Sequence, residues 1–599
     1  MSDENLLMQR PQQRVADSSG NGRAAALTDA RVRAALARVT GSLSMASALL
    51  AALDWSLHLA IAPGKRMELA RLALNQAAQL SEYLRACLIA TAGRNGHAGA
   101  EPCVDPPAHD RRFAAAEWQH WPFNLWHQSF LLGQQWWEAA ARGVPGVERH
   151  HEELVAFWAR QWLDMFSPGN LPWTNPLVLQ RTAAEGGANL LRGALNLIDD
   201  TERLAGAAPP AGAERYVVGR DVAVTPGKVV LRTPLMELIQ YAPRTATVHA
   251  EPVLIVPAWI MKYYILDLSP ENSLIRYLVE QGHTVFCISW KNPAEAERDM
   301  DMEDYLRLGF FAALDAVNSI VPRRKVHATG YCLGGTLLAI AAAAMARDGD
   351  TRLASITLIA TQTDFSEPGE LSLFIDESQL SLLEAQMQER GYLTANQMAG
   401  AFSMLRSYDL LWSRLVSHYL LGERSSMNDL MAWNADATRM PAKMHAQYLR
   451  GLFLNDDLAQ GRYRVGGEPV SLGGITSPIF MVGTETDHVA PWRSVYKLHR
   501  LSPARIDFVL TSGGHNAGVV NPPAPGSRRH YRIRRRAQRG AWLTPDQWLA
   551  TTPEVPGSWW PAWQRWLAGL SGAQVEPPAM GSKRYPPADD APGAYVLEK

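Results

Sequence analysis

Residues 327–346, HATGYCLGGTLLAIAAAAMA, have the pattern of a short strand, a sharp turn and a helix of small residues. The turn, GYCLG at 330–334, has the spacing of a nucleophile elbow, in which the middle residue is the reactive group. Such a turn strains the nucleophile's backbone, so glycines must flank it if strand and helix are to pass each other. The positive end of the helix dipole would also favour a thiolate. The segment predicts Cys332 as a nucleophile, with a buried structural cysteine as the alternative.

Apolar runs typical of buried strands recur on both sides of this turn. Helical stretches separate most of them, which is typical of a doubly wound, mainly parallel sheet. Two earlier runs, 217–224 and 228–232, predict a strand pair that turns at residues 225–227. The sequence therefore predicts an α/β fold of the α/β-hydrolase type. The predicted buried strands are 253–256, 284–288, 325–329, 356–359, 479–482 and 506–510.

Composition divides the chain into regions. Residues 1–28 are rich in Gln, Ser, Gly and Asn and predict a disordered tail, whereas 29–205 predict a mainly helical N-terminal domain. The segment GAAPPAGA at 206–213 predicts a linker, after which 214–599 would form the catalytic domain. No strand pattern occurs between about 363 and 446, so we expect a helical insertion there that covers the site as a lid.

The last two predicted strands of the sheet lead to an acid and a histidine, Asp487 and His515. In proteins with a nucleophile elbow, the acid and the base follow the nucleophile in that order, at the ends of later strands. We therefore expect Asp487 to be the acid and His515 the base. Glu485 is the alternative acid and His488 the alternative base.

An oxyanion hole needs two backbone N–H donors. One is expected at Leu333, directly after the nucleophile, and the other at Trp259 or Ile260, in the loop after the first predicted buried strand. Arg406, in the insertion, and His488 are candidate gate or substrate contacts.

The overall composition limits the classes of function. The chain has 599 residues and a net charge of −1, so its overall charge does not predict binding to nucleic acid or to an anionic membrane. Its four cysteines form no CxxC pair and no zinc-type Cys/His cluster, so we expect no disulfide framework, no metal and no resident cofactor. The N-terminus lacks the apolar core of a secretory signal, and the apolar runs are too short to span a bilayer, so we expect a cytoplasmic protein.

One strongly basic run, GSRRHYRIRRRAQR at 526–539, departs from this balance. It predicts a solvated surface segment. The alternative is a patch that attracts phosphate groups, either on an anionic substrate carrier or on nucleic acid.

Several motifs resemble those of the polyhydroxyalkanoate synthases, particularly the class I type, whose catalytic subunit works alone. GYCLGGT at 330–336 resembles that family's cysteine-containing lipase-like box, and TDHVAPW (486–492) and GGHNAGVVNPP (513–523) resemble the segments that hold its acid and base. The resemblance covers most of residues 110–599. Further matching segments are KYYILDLSPENSL (262–274), QGHTVFCISWKNP (281–293), PWTNP (172–176), GGANLLRG (186–193) and VGRDVAVTPGKVV (218–230).

The resemblance implies a polyester polymerase that transfers (R)-3-hydroxyacyl groups from coenzyme A thioesters to a growing polyhydroxyalkanoate chain. Cys332 would then be the nucleophile, Asp487 the acid and His515 the base. Attack by cysteine exchanges one thioester for another, so the acyl group stays activated, whereas a serine would hold it as an oxygen ester. This chemistry accounts for a cysteine where a serine is usual.

The resemblance also implies a homodimer at the surface of intracellular polyester granules, with coenzyme A carried by the substrate. The tryptophan-rich segments of the N-terminal domain are interpreted as packing residues, and the alternative is that they supply this attachment. Two other functions stay open: a cysteine thioesterase or hydrolase of the same fold, and a granule-bound scaffold without turnover. No nucleic-acid partner and no membrane span are expected.

Overall fold

A ten-stranded sheet organises the C-terminal part of the chain in this computed structural model. The structure describes residues 20–40, 42–92, 101–107, 110–206, 208–395, 397–398, 400, 404, 407 and 411–599. The strands of the sheet are β1 Gly227–Arg232, β2 Met236–Tyr241, β3 Val253–Val256, β4 Val285–Trp290, β5 Val326–Tyr331, β6 Leu353–Ile359, β11 Ile479–Thr484, β12 Ile506–Thr511, β13 His530–Arg536 and β14 Glu554–Pro556. Between β6 and β11 lie four two-residue strands, β7 Tyr392–Leu393, β8 Met440–Pro441, β9 Arg464–Val465 and β10 Glu468–Pro469.

The strands follow one another across the sheet in the order β1-β2-β4-β3-β5-β6-β11-β12-β13-β14. The six central strands, from β4 to β12, run parallel, and the two strands at each edge are antiparallel to their neighbours. Every residue of β3 and β5 is buried, because helices cover both faces of the sheet. Continuous burial explains why β3 is an apolar run rather than an alternating pattern, whereas β5 also buries the polar residues His327 and Thr329.

Helices on the two faces of the sheet and at its ends complete the C-terminal part. The helix α11 follows β5 directly and is buried over almost its whole length, which its alanine and leucine content permits. A π-helical turn, Tyr305–Phe311, connects two of the other helices. The helices after the linker are α8 Leu274–Glu280, α9 Met302–Asp304, α10 Ala312–Ile320, α11 Leu333–Arg347, α12 Glu377–Arg390, α13 Asp429–Asn434, α14 Ala442–Tyr448, α15 Trp492–Tyr496, α16 Leu498–Leu501, α17 Pro545–Thr551 and α18 Trp560–Leu570.

The N-terminal part is helical. Its helices are α1 Gly20–Val39, α2 Met45–Ala60, α3 Pro63–Ala92, α4 Phe123–Ala141, α5 Arg149–Met165, α6 Pro176–Ala184 and α7 Ala188–Ala205. The structure differs here from the tail predicted over residues 1–28, because residues 20–28 belong to α1. The run RAAAL at 23–27 consists of strong helix formers, which outweigh the polar residues around it.

Within α7 the usual amphipathic arrangement is reversed. Asn189 and Gly193 are buried, whereas Leu191, Leu195 and Ile198 are 65%, 58% and 54% exposed. The polar face therefore packs against the protein and the apolar face is turned to the surface.

The N-terminal helices bind the segment between β6 and β11, which we call the insertion. The side chain of Asn189 donates to the carbonyl of Leu420 at 2.8 Å, and that of Asn196 donates to the carbonyl of His418 at 3.0 Å. A Cβ on Gly193 would lie 1.9 Å from the carbonyl oxygen of Tyr419, so the two backbones are in direct contact. Helix α7 thus holds residues 418–420 of the insertion against the N-terminal part.

The predicted strand at 217–224 is wrong. This segment forms turns, in which the N–H groups of Arg220 and Asp221 bond to the carbonyl of Val217, and β1 pairs with β2 instead. The N–H of Ala223 bonds to the carbonyl of Asp267, outside any strand. Local turn bonds therefore replace the predicted ladder.

Much of the segment 526–539 is exposed, as expected for a solvated surface segment, but its centre forms β13, which pairs with β12 and β14. Arg535 binds Asp507 at 2.8 Å, Arg532 contacts Glu554, and Arg536 donates to backbone carbonyls in a buried position. These partners explain how a strand with four arginine side chains can sit in a sheet.

Among the described residues, no single helix is long and apolar enough to cross a membrane. The helices α2 and α3 meet the length and composition requirement only together, and they are bent by 90° with respect to each other.

Candidate active site

Cys332 lies at the turn between β5 and α11. Its φ of 52° and ψ of −121° are unusual for a residue with a side chain, and such strain persists only where the surroundings enforce it. The N–H of Cys332 donates to the carbonyl of Ile359 at 2.9 Å, and its carbonyl accepts from the hydroxyl of Thr361 at 3.3 Å. Ile359 is the last residue of β6 and Thr361 follows two residues later, so the end of this strand holds the strained turn in place.

The glycines around the turn are required by close backbone contacts. A Cβ on Gly330 would lie 2.3 Å from Cα of Gly335, and a Cβ on Gly334 would lie 2.1 Å from the carbonyl oxygen of Val256. Neither neighbour can move away, because both are backbone atoms of buried elements. The strand, the helix and the loop after β3 therefore meet at a distance that only glycine allows.

Asp487 and His515 form a hydrogen-bonded pair. Nδ1 of His515 lies 2.8 Å from Oδ2 of Asp487. The other oxygen, Oδ1, accepts from the N–H groups of Val489 and Ala490 at 2.9 and 2.8 Å, and Oδ2 also accepts from the hydroxyl of Thr484 at 3.0 Å. This full set of donors fixes the carboxylate and, through it, the orientation of the imidazole.

The pKa of His515 reflects opposing effects. Burial lowers the pKa of the imidazole, but Asp487 and the neighbouring Cys332 sulfur raise it, and the net result lies well above the ordinary value. Burial raises the pKa of Asp487, whereas His515 and the backbone donors lower it, and the net shift is downward. A protonated imidazole beside sulfur favours a thiolate, the reactive form of cysteine.

The loop after β3, where the second oxyanion donor is expected, lies against the start of α11. The carbonyl oxygens of Val256 and Pro257 are the atoms closest to Gly334. Thr438 of the insertion holds the loop further along, since its hydroxyl donates to the carbonyl of Trp259 at 2.7 Å and its N–H donates to that of Ile260 at 3.4 Å. Leu333 is the first residue of α11, so the two predicted donor segments are neighbours.

The insertion brings the aromatic side chain of Tyr448 near Cys332, a proximity that no local sequence pattern indicates. Burial raises the pKa of Tyr448 well above its ordinary value, and the nearby Cys332 sulfur adds to this effect. The ring of Tyr448 lies 5.4 Å from that of Phe453, which lies 4.8 Å from that of Phe365. These three rings form an apolar wall at the site, which we call the aromatic wall.

The alternative site residues lie elsewhere. Glu485 binds Nε2 of His530 at 3.1 Å rather than His515. His488 is half-buried, and its carbonyl oxygen packs against Gly369 of the insertion. Arg406 lies outside the described residues. Among the residues that the structure describes, no group of three or more His, Cys, Asp or Glu side chains could hold a metal ion.

The sheet order, the elbow and the two loops define an α/β-hydrolase fold, which confirms the predicted fold. A family model described as alpha/beta hydrolase fold matches residues 251–522. The monoacylglycerol lipase of Paleococcus ferrophilus aligns with 56% of this chain and 99% of its own, with 9% sequence identity and a TM-score of 0.30.

Two further family models define the chain more narrowly. One, described as poly-beta-hydroxybutyrate polymerase (PhaC) N-terminus, matches residues 109–278, and another, poly-beta-hydroxybutyrate polymerase N terminal, matches residues 23–65. The poly(3-hydroxyalkanoate) polymerase of Methylorubrum extorquens is 43% identical over 530 residues, covering 88% of this chain and 87% of that protein. A poly(3-hydroxyalkanoate) polymerase subunit of Cupriavidus necator is 38% identical over 82% of this chain and 84% of its own. The chain belongs to the poly(3-hydroxyalkanoate) polymerase family, as the sequence motifs predict.

Proposed function

We propose that this chain transfers (R)-3-hydroxyacyl groups from coenzyme A thioesters to a growing polyhydroxyalkanoate chain, through an acyl group bound to Cys332. The observation that supports this proposal most directly is the cysteine at the elbow, combined with the His515–Asp487 pair, in a member of this family. A cysteine nucleophile suits a substrate that must stay activated between two transfers.

In the first step the Cys332 sulfur attacks the thioester carbonyl. The bond between that carbon and the sulfur of coenzyme A breaks, and the leaving thiolate takes a proton from His515. One thioester replaces another, so little free energy is lost. The raised pKa of His515 supports this proposal, because the imidazole then holds a proton to donate at neutral pH.

In the second step the 3-hydroxyl of another unit attacks the acyl group on Cys332. An oxygen ester forms, the carbon–sulfur bond to Cys332 breaks, and the hydroxyl proton passes to His515. Asp487 is bonded to Nδ1 of His515, which supports a role in orienting the base. We propose this orienting role for Asp487 rather than direct contact with the hydroxyl.

Both steps place negative charge on the acyl oxygen. We propose that the N–H of Leu333 and that of Trp259 or Ile260 bind this oxygen, as the adjacency of the two segments supports. The hydrogen bonds from Thr438 to the β3 loop would then hold one of these donors in place.

Polymerisation must also outrun hydrolysis, so water has to be kept from the acyl group. We propose that the insertion serves as this cover. The aromatic wall supports the proposal, since Tyr448 and its neighbours present apolar surface beside Cys332.

The proposed product is an apolar polyester, and we propose that the protein resides in the cytoplasm at its surface. The outward apolar face of α7 supports this assignment, because leucines exposed along one helix face gain free energy when an apolar surface covers them. A homodimer is proposed from the resemblance of the motifs alone, and light scattering on the purified protein tests it.

Incubation with (R)-3-hydroxybutyryl-coenzyme A tests the reaction. Release of coenzyme A together with an insoluble polymer, and an acyl adduct on Cys332 in the intact mass, are the expected results. Soluble 3-hydroxybutyrate without polymer would indicate a hydrolase, and no release across several chain lengths would indicate a scaffold. Cys332→Ala is the control that should release nothing.

A further inference from the structure

The residues next to Cys332 and His515 in sequence are bonded to each other. Tyr331 directly precedes Cys332, and Asn516 directly follows His515. The phenol hydroxyl of Tyr331 donates to Oδ1 of Asn516 at 2.7 Å, across 185 residues of sequence. One side-chain hydrogen bond therefore joins the strand that carries the candidate nucleophile to the loop that carries the candidate base.

The ring of Tyr331 also contacts the imidazole itself. Its centroid lies 5.7 Å from that of His515, with an angle of 33° between the planes. Tyr331 is 3% exposed, so the ring cannot turn away without displacing the core around it. Burial raises the pKa of the phenol well above its ordinary value, with further contributions from Cys332 and Asp487, so the hydroxyl stays a donor at every working pH.

Asn516 belongs to the tight turn that bears His515. Its carbonyl accepts from the N–H groups of Val519 and Val520 at 3.1 and 3.0 Å, while that of Gly514 accepts from the N–H of Gly518 at 2.7 Å. The turn is thus closed on both sides of His515. A bond to the Asn516 side chain consequently restrains the imidazole and not merely a loose loop.

We propose that Tyr331 is a positioning residue, which holds His515 at its working distance from Cys332 through the hydrogen bond to Asn516 and the contact between the rings. The effect of this role on the rate of coenzyme A release rests on the proposed function. Asp487 controls the rotation of the imidazole through Nδ1, whereas Tyr331 controls the location of the turn. Displacements of about 1 Å at a reacting group can lower rates by about 10²-fold, so a single tether here has a measurable effect.

Tyr331→Phe removes only the hydroxyl and tests the proposal. We expect kcat for coenzyme A release to fall by about 5- to 50-fold with KM within about twofold of wild type, since the phenol is buried and bonded to Asn516 and would act through the position of His515. Asn516→Leu should give a similar loss. The double variant should be no worse than either single variant, because both remove the same bond.

A second measurement does not depend on turnover. The rate at which iodoacetamide alkylates Cys332, followed by peptide mass mapping between about pH 5 and 9, reports the pairing of the sulfur with His515. In both single variants we expect the rate at pH 6 to fall by at least about threefold and the profile to move to higher pH. If the wild-type protein releases no coenzyme A, the proposed function is wrong. The pH dependence of Cys332 alkylation in the variants would still show whether Tyr331 positions His515.

Tyr496→Phe is the matched control. Tyr496 is a buried tyrosine of the same domain whose hydroxyl donates to the carbonyl of Leu543 at 3.0 Å. This variant should keep the kcat and the alkylation profile of wild type. Unchanged kcat and alkylation in Tyr331→Phe would overturn the proposal. A fall in kcat would also overturn it if Tyr496→Phe lost as much. The same holds if kcat fell in Tyr331→Phe while its alkylation profile stayed that of wild type.

Discussion

Thr484 and Thr511 lie directly opposite each other as the last residues of the parallel strands β11 and β12. Because the two strands end in register, their loops leave the sheet at the same point. Asp487 and His515 follow a few residues later in the two loops, which brings their side chains to 2.8 Å. The candidate acid and base are thus neighbours through strand register, and a hydrogen bond from the N–H of Thr486 to the carbonyl of Gly513 at 3.1 Å joins the two loops.

Replacing His515 with glutamine should lower kcat by about 10² to 10⁴ without loss of the fold, because Cys332 loses its proton acceptor. Coenzyme A release from 3-hydroxybutyryl-coenzyme A gives the rate, and circular dichroism reports the fold. His488→Gln is the matched control, since it makes the same change directly after Asp487. A normal rate in His515→Gln and a large loss in His488→Gln would transfer the base to His488.

In Cys332→Ser the fold should survive, but essentially no polymer should form. A hydroxyl is far harder to ionise than a thiol, and any acyl group it accepts would be an oxygen ester with little driving force for further transfer. Intact mass after incubation with 3-hydroxybutyryl-coenzyme A shows the acyl group, and turbidity shows the polymer. A polymer yield comparable to that of wild type would mean that thioester energetics do not explain the cysteine.

Gly334→Ala should destabilise the protein by about 1 to 3 kcal/mol or more, because the added methyl meets the carbonyl of Val256. The midpoint of urea unfolding measures the change. Gly133→Ala is the control: this glycine lies inside α4 with no atom within 4 Å of the added Cβ, so alanine should stabilise by about 0.5 to 1 kcal/mol. Equal midpoints for the two variants would contradict the close contact at Gly334.

Replacing Leu191, Leu195 and Ile198 with glutamine should reduce the fraction of protein that sediments with its polymer, while soluble turnover stays near wild type. These side chains point outward from α7 and contribute no core, so the helix itself should persist. Leu74, Leu88 and Ile89 of α3 are also exposed, and the same triple change there is the control. An equal loss in both variants would show that general surface hydrophobicity, and not α7, determines the attachment.

Buried histidines make stability depend on pH. Burial, with smaller effects of His249 and His327, lowers the pKa of His283 to about 3. The unfolded chain takes up this proton as the pH falls through about 6.5, whereas the folded protein does not, so stability is lost between about pH 6.5 and 3. From pH 7 to pH 5 this one group should cost about 2 kcal/mol.

His283→Phe should remove the part of the stability loss between pH 7 and pH 5 that comes from this histidine. The ring of His283 stacks on that of His249 at 4.5 Å, and a phenyl ring preserves this packing. Urea unfolding at both pH values gives the difference, and His120→Phe, at an exposed histidine, is the control. If the variant loses as much stability as wild type between pH 7 and pH 5, His283 does not titrate on unfolding.

The sequence predicted the central strands well because their burial is complete. A parallel strand covered on both faces is mostly apolar, which produces a recognisable run even where a buried polar residue such as Thr329 or Thr357 interrupts it. The position of Cys332 at the turn between β5 and α11 was also predictable, because the glycines around it are required by close backbone contacts. The close pairing of Asp487 and His515 was expected from loops that follow neighbouring strands.

Elements whose polar groups depend on distant partners were not predictable. Within β2, Glu237 and Gln240 are buried because the C-terminal segment satisfies them: the N–H groups of Ala594 and Tyr595 bond to Glu237, and that of Gly581 bonds to Gln240. Nothing local to β2 indicates those partners. Tyr331, Asn516 and Tyr448 were missed for the same reason, since their roles arise only from contacts across the fold.

The N-terminal helices bind the insertion in two places, and these contacts limit how the insertion can move. Besides the contacts of α7 with residues 418–420, the N–H of Ser44 bonds to Gln379 at 2.8 Å and Arg160 binds Glu370 at 3.0 Å. The insertion therefore cannot swing as a free flap hinged on the sheet. If the proposed cover opens above Cys332, it must either break both sets of contacts or carry the helices along as a rigid body, so a force applied to the helices would be transmitted to the site.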